Sequence, residues 1–196
     1  MCLICIIAFV LQMAFAGFTN LFALKQGFEA EAWRFLTAIF MHGSFAHLLS
    51  NLFALALFGT ILEGFIGSRK FLAVFFASGV LANLIAVNFY SSSLGASGAI
   101  YGILGALVAI RPMMVVWVYG LPMPVFIAGI VWVIAGVAGL FAPSDIGHIA
   151  HLSGIGFGLV LGLIFRDWSK REQRDDAGKI IINEHSMRKW EEDYMR

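Results

Sequence analysis

The sequence predicts an all-α membrane protein, a bundle of six transmembrane helices, on three observations. Hydrophobic residues make up 60% of the 196 positions and charged ones 13%, with a mean hydropathy of +0.87. That is far from soluble globular usage. The charges also segregate: eight of 13 Lys and Arg and eight of 12 Asp and Glu fall in 166–196. The remaining body, with five basic and four acidic residues, cannot cover a water-facing surface. Third, that body divides into six apolar runs, most of them near membrane length. So apolar a body excludes a soluble enzyme and a disordered chain, and a net charge of +1 without a basic stripe excludes a nucleic-acid binder. The expected organisation is a membrane-embedded six-helix domain over 1–166 and a charged cytoplasmic tail over 167–196.

The first span is expected from Cys2 to Leu24, without charge before Lys25. Ala14-Phe15-Ala16 resembles a leader cleavage site, but no basic residue precedes the apolar run, which favours a span. Cys2 and Cys5 sit in this run as small packing residues, with no disulfide framework to build. The second span covers His47–Ile66, the third Lys70–Tyr90 and the fourth Ser97–Ile110. The fifth lies within Pro122–Phe141, its start softened by Pro122 and Pro124, and the sixth covers Gly147–Phe165. Within the tail, Ser186–Tyr194 is a candidate helical stretch, and His185 is expected to be solvated.

Six spans put both termini on one side. Arg69 and Lys70, Arg111, and the basic residues from Arg166 onward share one face, so that face and both termini are expected to be cytoplasmic. On the other face Lys25 and Arg34 are offset by Glu29 and Glu31, and Asp145 adds a negative charge. A cell membrane is the expected location.

Polar groups at membrane depth are costly and point to function. The informative ones are His42, His47, Asn51, Ser97, His148 and His151. From Ser97 to Arg111 a helix rises about 21 Å, about 10 Å short of the hydrocarbon core. The fourth helix is therefore short and recessed, and 91–96 must descend as non-helical backbone, which is tolerated only inside protein or beside a wet cavity. Gly95-Ala96-Ser97-Gly98 combines a permissive turn with a helix N-terminus able to face a developing oxyanion. Read alone, it fits an N-cap serine equally well.

His151 shares a helical face with Gly154, Gly158 and Gly162, and the fourth span carries Gly98, Gly102 and Ala106 at intervals of four. Small residues at this spacing let two membrane helices meet backbone to backbone. Packing those faces brings His151 near Ser97, with Tyr101 placed to pack on the imidazole. His47 and Asn51, four apart, share another face, either as interhelical polar glue or as donors to an oxyanion.

These residues together resemble the rhomboid intramembrane serine proteases. Trp33-Arg34 is similar to that family's loop-one pair, and His42 with His47-Leu48-Leu49-Ser50-Asn51 to its second-span pattern. Gly95-Ala96-Ser97-Gly98 with Tyr101 resembles the nucleophile motif, and Ala150-His151-Leu152-Ser153-Gly154 the sixth-span histidine motif. Ser153 stands where many members have Gly. The likeness runs from about Trp33 to Gly162 and covers only the minimal six-helix core.

The resemblance implies cleavage of peptide bonds in or near transmembrane segments of other proteins, within the bilayer and without a cofactor or metal. Ser97 would be the nucleophile and His151 the general base, then acid. His47, Asn51 and the Ser97 backbone N–H would meet the oxyanion, and Tyr101, Gly95 and Gly98 would support the site. Asp145 is the nearby carboxylate, but a Ser–His dyad is the expectation. His148 is left as a rim residue or a support. Trp33 and Arg34 would anchor a loop at headgroup level, and Glu63 would have a structural role. By the same resemblance the fifth span flanks lateral substrate access, and the Ala142–Gly147 loop caps the cavity. Competing readings are a histidine–metal membrane protease, a transporter and a pseudoprotease that binds transmembrane segments without cutting. The first lacks a His-Glu-x-x-His motif, the second lacks repeated halves, and the third would lack the serine or histidine that this chain keeps.

Overall fold

In the computed structural model the described residues are 1–27, 31–118, 120–141 and 146–178, with side chains through Arg166. The chain is an all-α membrane protein in architecture, with two short β-pairings in its loops. At its centre is α4 (Phe45–Ala86), 42 residues that are not one straight rod. Gly67 adopts φ 75° and ψ 160°, a left-handed conformation that costs a side-chain-bearing residue, and the chain reverses there. Phe71 lies 3.4 Å from where a Cβ on Gly59 would stand, so residues 68–86 run back along residues 45–66. The two arms correspond to the expected second and third spans.

The first apolar run departs from expectation. Its helix, α1 (Cys2–Ala14), holds 13 residues rather than continuing to Leu24. Phe15 is extended and Gly17 takes φ 89°, which breaks the helix before a short α2 (Phe18–Phe22). Strand β1 (Leu24–Lys25) then pairs antiparallel with β2 (Ser92–Ser93). This pairing satisfies backbone in the link that had to descend without helix. The loop region continues through α3 (Arg34–Thr37) and a single 3-10 turn (Ala38–Phe40).

Helix α5 (Ser97–Ile110) has the 14 residues expected of it and is buried along most of its length. Arg111 follows, its guanidinium 4.9 Å from the centre of the Phe65 ring. Next comes a hairpin of β3 (Val115–Val118) and β4 (Leu121–Pro124), which leads into α6 (Val125–Gly139). Pro122 and Pro124 therefore do not soften a helix start. They lie in strand β4, and Pro124 immediately precedes the helix, where its missing N–H costs nothing. Helix α7 (His148–Gly178) continues past Arg166 into the segment expected to be tail. Ser186–Tyr194 and His185 lie outside the described residues, as do Glu29 and Asp145.

Helices α5 and α7 approach closely enough that side chains are excluded between them. A Cβ on Gly154 would collide with the Gly98 carbonyl, one on Gly158 with the Gly102 carbonyl, and one on Gly162 would stand 2.7 Å from Ala106 Cα. The second arm of α4 closes on α5 in the same way, with Ser78 against Gly102 and Ala82 3.0 Å from the Cβ position of Gly98. In lipid, close van der Waals contact of this kind holds helices together where the hydrophobic effect offers little.

Gly158→Val should force α5 and α7 apart at a cost of about 1–3 kcal/mol or more. Gly156→Ala, with open space around it, should leave stability unchanged or slightly raised. Thermal unfolding in detergent micelles checks both.

Candidate active site

Each wall of the site begins with a local backbone device. Ser44, extended at the start of α4, accepts a hydrogen bond from the His47 N–H at 3.1 Å and so fixes the first turn. His47 and Asn51 then stand one turn apart on the same face. On the facing segment Gly95 takes φ 123° and donates its N–H to the Ala38 carbonyl at 2.9 Å. The His47 ring lies against it, with ring atoms 2.8 and 2.9 Å from the Gly95 Cβ position, so this wall depends on a glycine there.

Ser97 is the first residue of α5 and not its cap, which falls at Ala96. Its hydroxyl meets α7 instead: Ser97 Oγ lies 2.7 Å from His151 Nε2. Tyr101, one turn on, stacks on the His151 ring at a centroid distance of 4.2 Å and an interplanar angle of 12°. His151 is 9% exposed and so is held between two helices with its Nε2 on the Ser97 hydroxyl.

These groups line a cavity of about 750 Å³ together with Ser50, Asn83, Tyr90, Ser93 and Gly147. The Asn51 amide donates to the His47 carbonyl at 2.8 Å, which occupies one of its two hydrogens. His42 does not line the cavity. It is buried behind His47, the two rings meeting edge to face at 5.2 Å. His148 stands edge-on to His151 at 6.2 Å, with its ring against Gly139 of α6. Of the Ala142–Gly147 loop, Ile146 and Gly147 are described and line the cavity.

Arg34 is buried, pairs with Glu31 at 2.7 Å and donates to the carbonyls of Asn20 and Ala23. A cation this enclosed is retained where it satisfies several acceptors at once, and here it ties the loop together. Trp33 beside it is exposed.

Two contributors escaped the sequence reading. Tyr90 accepts the Ile149 N–H at 3.0 Å and so holds the first turn of α7, two residues from His151. Tyr90 entered the sequence reading only as the end of the third span, and nothing local in the sequence ties it to a residue 59 positions away. Gln12 of α1 bonds to the backbone of His42, and an amide within an apolar run was the signal that should have marked it.

A family model for the Rhomboid domain matches residues 29–168. The chain belongs to the rhomboid family. It is 30% identical over 138 residues to rhomboid protease GlpG of Haemophilus influenzae, covering 69% of this chain and 71% of that protein. Rhomboid protease GluP of Bacillus subtilis is 44% identical over 81 residues, 40% of this chain and 16% of GluP. RHOMBOID-like protein 4 of Arabidopsis thaliana is 29% identical over 136 residues, 68% of this chain and 34% of that protein. This rhomboid thus spans only about a third of one of these relatives and less of another.

Tyr90→Phe removes the acceptor of the Ile149 N–H and should cost this rhomboid about 1 kcal/mol of stability, read as a lowered unfolding midpoint in micelles.

Proposed function

We propose that this rhomboid is an intramembrane serine endopeptidase that hydrolyses peptide bonds in or near transmembrane segments of other membrane proteins. The observation that carries this reading is the 2.7 Å contact between Ser97 Oγ and His151 Nε2, made across two helices at a polar cavity in an otherwise apolar body. The names of the relatives GlpG and GluP, both rhomboid proteases, support it.

Serine is a weak nucleophile until a base removes its proton. His151 Nε2 takes that proton as Ser97 Oγ bonds to the substrate carbonyl carbon, and returns it to the leaving amine as the peptide bond breaks. Water then attacks the acyl-enzyme by the same route. The carbonyl oxygen, negative in the tetrahedral intermediates, is met by the second Asn51 amide hydrogen, by His47 and by the Ser97 backbone N–H at the start of α5. Tyr101 holds the imidazole face, so the base needs no carboxylate to orient it. Gly95 leaves room for the His47 ring and Gly98 for Ala82 of α4.

In this reading the chain crosses a cell membrane six times. Helix α1, the two arms of α4, then α5, α6 and α7 are the spans, α5 being short and recessed. Both termini are cytoplasmic, on the side of Arg69, Lys70, Arg111 and Arg166. The substrates are transmembrane proteins, and no cofactor takes part.

Reconstituted in liposomes with a model transmembrane substrate, the wild type should cleave. Ser97→Ala and His151→Ala should each lose about 10³-fold or more in turnover. Full activity in either variant removes the assignment, and a wild type that binds substrate without cutting it marks a pseudoprotease. Asn51→Ala should lower kcat by about 10²–10³, as loss of one oxyanion donor does. A fluorophosphonate should label the wild type and not Ser97→Ala.

A further inference from the structure

Gln12 is an amide in an otherwise apolar helix, and its three hydrogen bonds all leave α1. Its Nε2 donates to the Thr19 hydroxyl at 2.9 Å and to the His42 carbonyl at 3.1 Å, and its Oε1 accepts the His42 N–H at 3.0 Å. One side chain thereby grips both backbone polar groups of a residue 30 positions away, as a neighbouring strand would. The amide orientation is fixed by its partners, because the His42 N–H can only donate and the His42 carbonyl can only accept. A polar side chain in a membrane helix is tolerated where such partners exist, and here they are satisfied together.

What Gln12 grips leads directly to the cavity. His42 is the second residue before Ser44, whose hydroxyl caps α4 at His47. The His42 imidazole, its Nδ1 3.1 Å from the Phe40 carbonyl, presents itself edge to face to the His47 ring at 5.2 Å. His47 in turn fills the space against Gly95, two residues before Ser97. The backbone of His42 is thus held from α1 on one side, while its ring buttresses a cavity-lining histidine on the other.

We propose that Gln12 is a positioning residue: by clamping the His42 backbone to α1 it sets the place of the His47 ring on the oxyanion side of the cavity. The inference rests on the protease reading given above. Gln12 touches neither Ser97 nor substrate, so its effect falls on the transition state and not on substrate affinity.

Two variants test it in liposomes. Gln12→Leu removes all three bonds and suits lipid better than glutamine does. Gln12→Glu keeps an acceptor for the His42 N–H and loses both donors. In Gln12→Leu kcat should fall about tenfold with KM within about twofold, a sub-ångström misplacement being enough for such a loss. Gln12→Glu should fall in between. Fluorophosphonate labelling should reach wild-type stoichiometry in both. Amide exchange at His42, followed by NMR, should quicken in Gln12→Leu and stay slow in Gln12→Glu. Wild-type kcat in Gln12→Leu overturns the proposal, as does a loss that merely follows a reduced labelled fraction. Should Gln12→Leu fail to fold, Gln12→Glu decides alone: lowered kcat at full labelling supports the clamp, and unchanged kcat overturns it. A wild type without cleavage would refute the protease reading itself, leaving the His42 exchange rates to report on the clamp.

Discussion

The backbone contact between α5 and α7 sets the terms for everything else in this molecule. Gly154 and Gly158 face the carbonyls of Gly98 and Gly102, so the two helix axes stand as near as main chain permits. A serine hydroxyl is a short reach. For Ser97 to meet an imidazole on another helix at 2.7 Å, the helices have to be this close over several turns. In water such packing could be driven by burying apolar area. In lipid it rests on contact itself, so each missing side chain counts. The same contact leaves His151 little freedom, and the Tyr101 ring takes the rest.

Around that pair, the other walls use polar bonds that a bilayer makes expensive to break. Arg34 fastens the loop before α4 to carbonyls of Asn20 and Ala23, Asn83 donates to the Phe35 carbonyl, and Tyr90 receives an N–H from the first turn of α7. None of these groups touches Ser97, yet each fixes a segment that lines the cavity or borders it. The Tyr101 ring also meets Trp132 of α6, edge-on at 6.5 Å, and this marks where the polar cavity gives way to a second, mostly apolar cavity of about 670 Å³. Phe58 closes the far side of that tryptophan at 5.7 Å.

Much of this was legible in the residues. The repeat of small residues on two spans was enough to say which helix faces meet, because the helical period is fixed and glycine has one steric meaning. The limits of α5 followed from Ser97 and Arg111. What the sequence hid lay in bonds between distant segments. Cys2–Leu24 reads as one apolar run, and nothing in hydropathy reveals that Gly17 turns left-handed and that Leu24 pairs with Ser93. The partners of Arg34, the carbonyls of Asn20 and Ala23 and the Glu31 carboxylate, come together only in the folded loop, so the sequence did not show them. Pro122 and Pro124 signalled a break without saying that a strand would fill it.

The reversal at Gly67 has a consequence for how the molecule is assembled. The space around the turn is open, with nothing within 4 Å of where a Gly67 Cβ would be, and the arms touch each other within a dozen residues of it, at Gly59 and Phe71. Contacts so local in sequence are the least costly in chain entropy. During biosynthesis the hairpin of α4 can therefore form as a unit, with His47 and Asn51 already aligned along one arm, before the segment that bears the hydroxyl has left the ribosome.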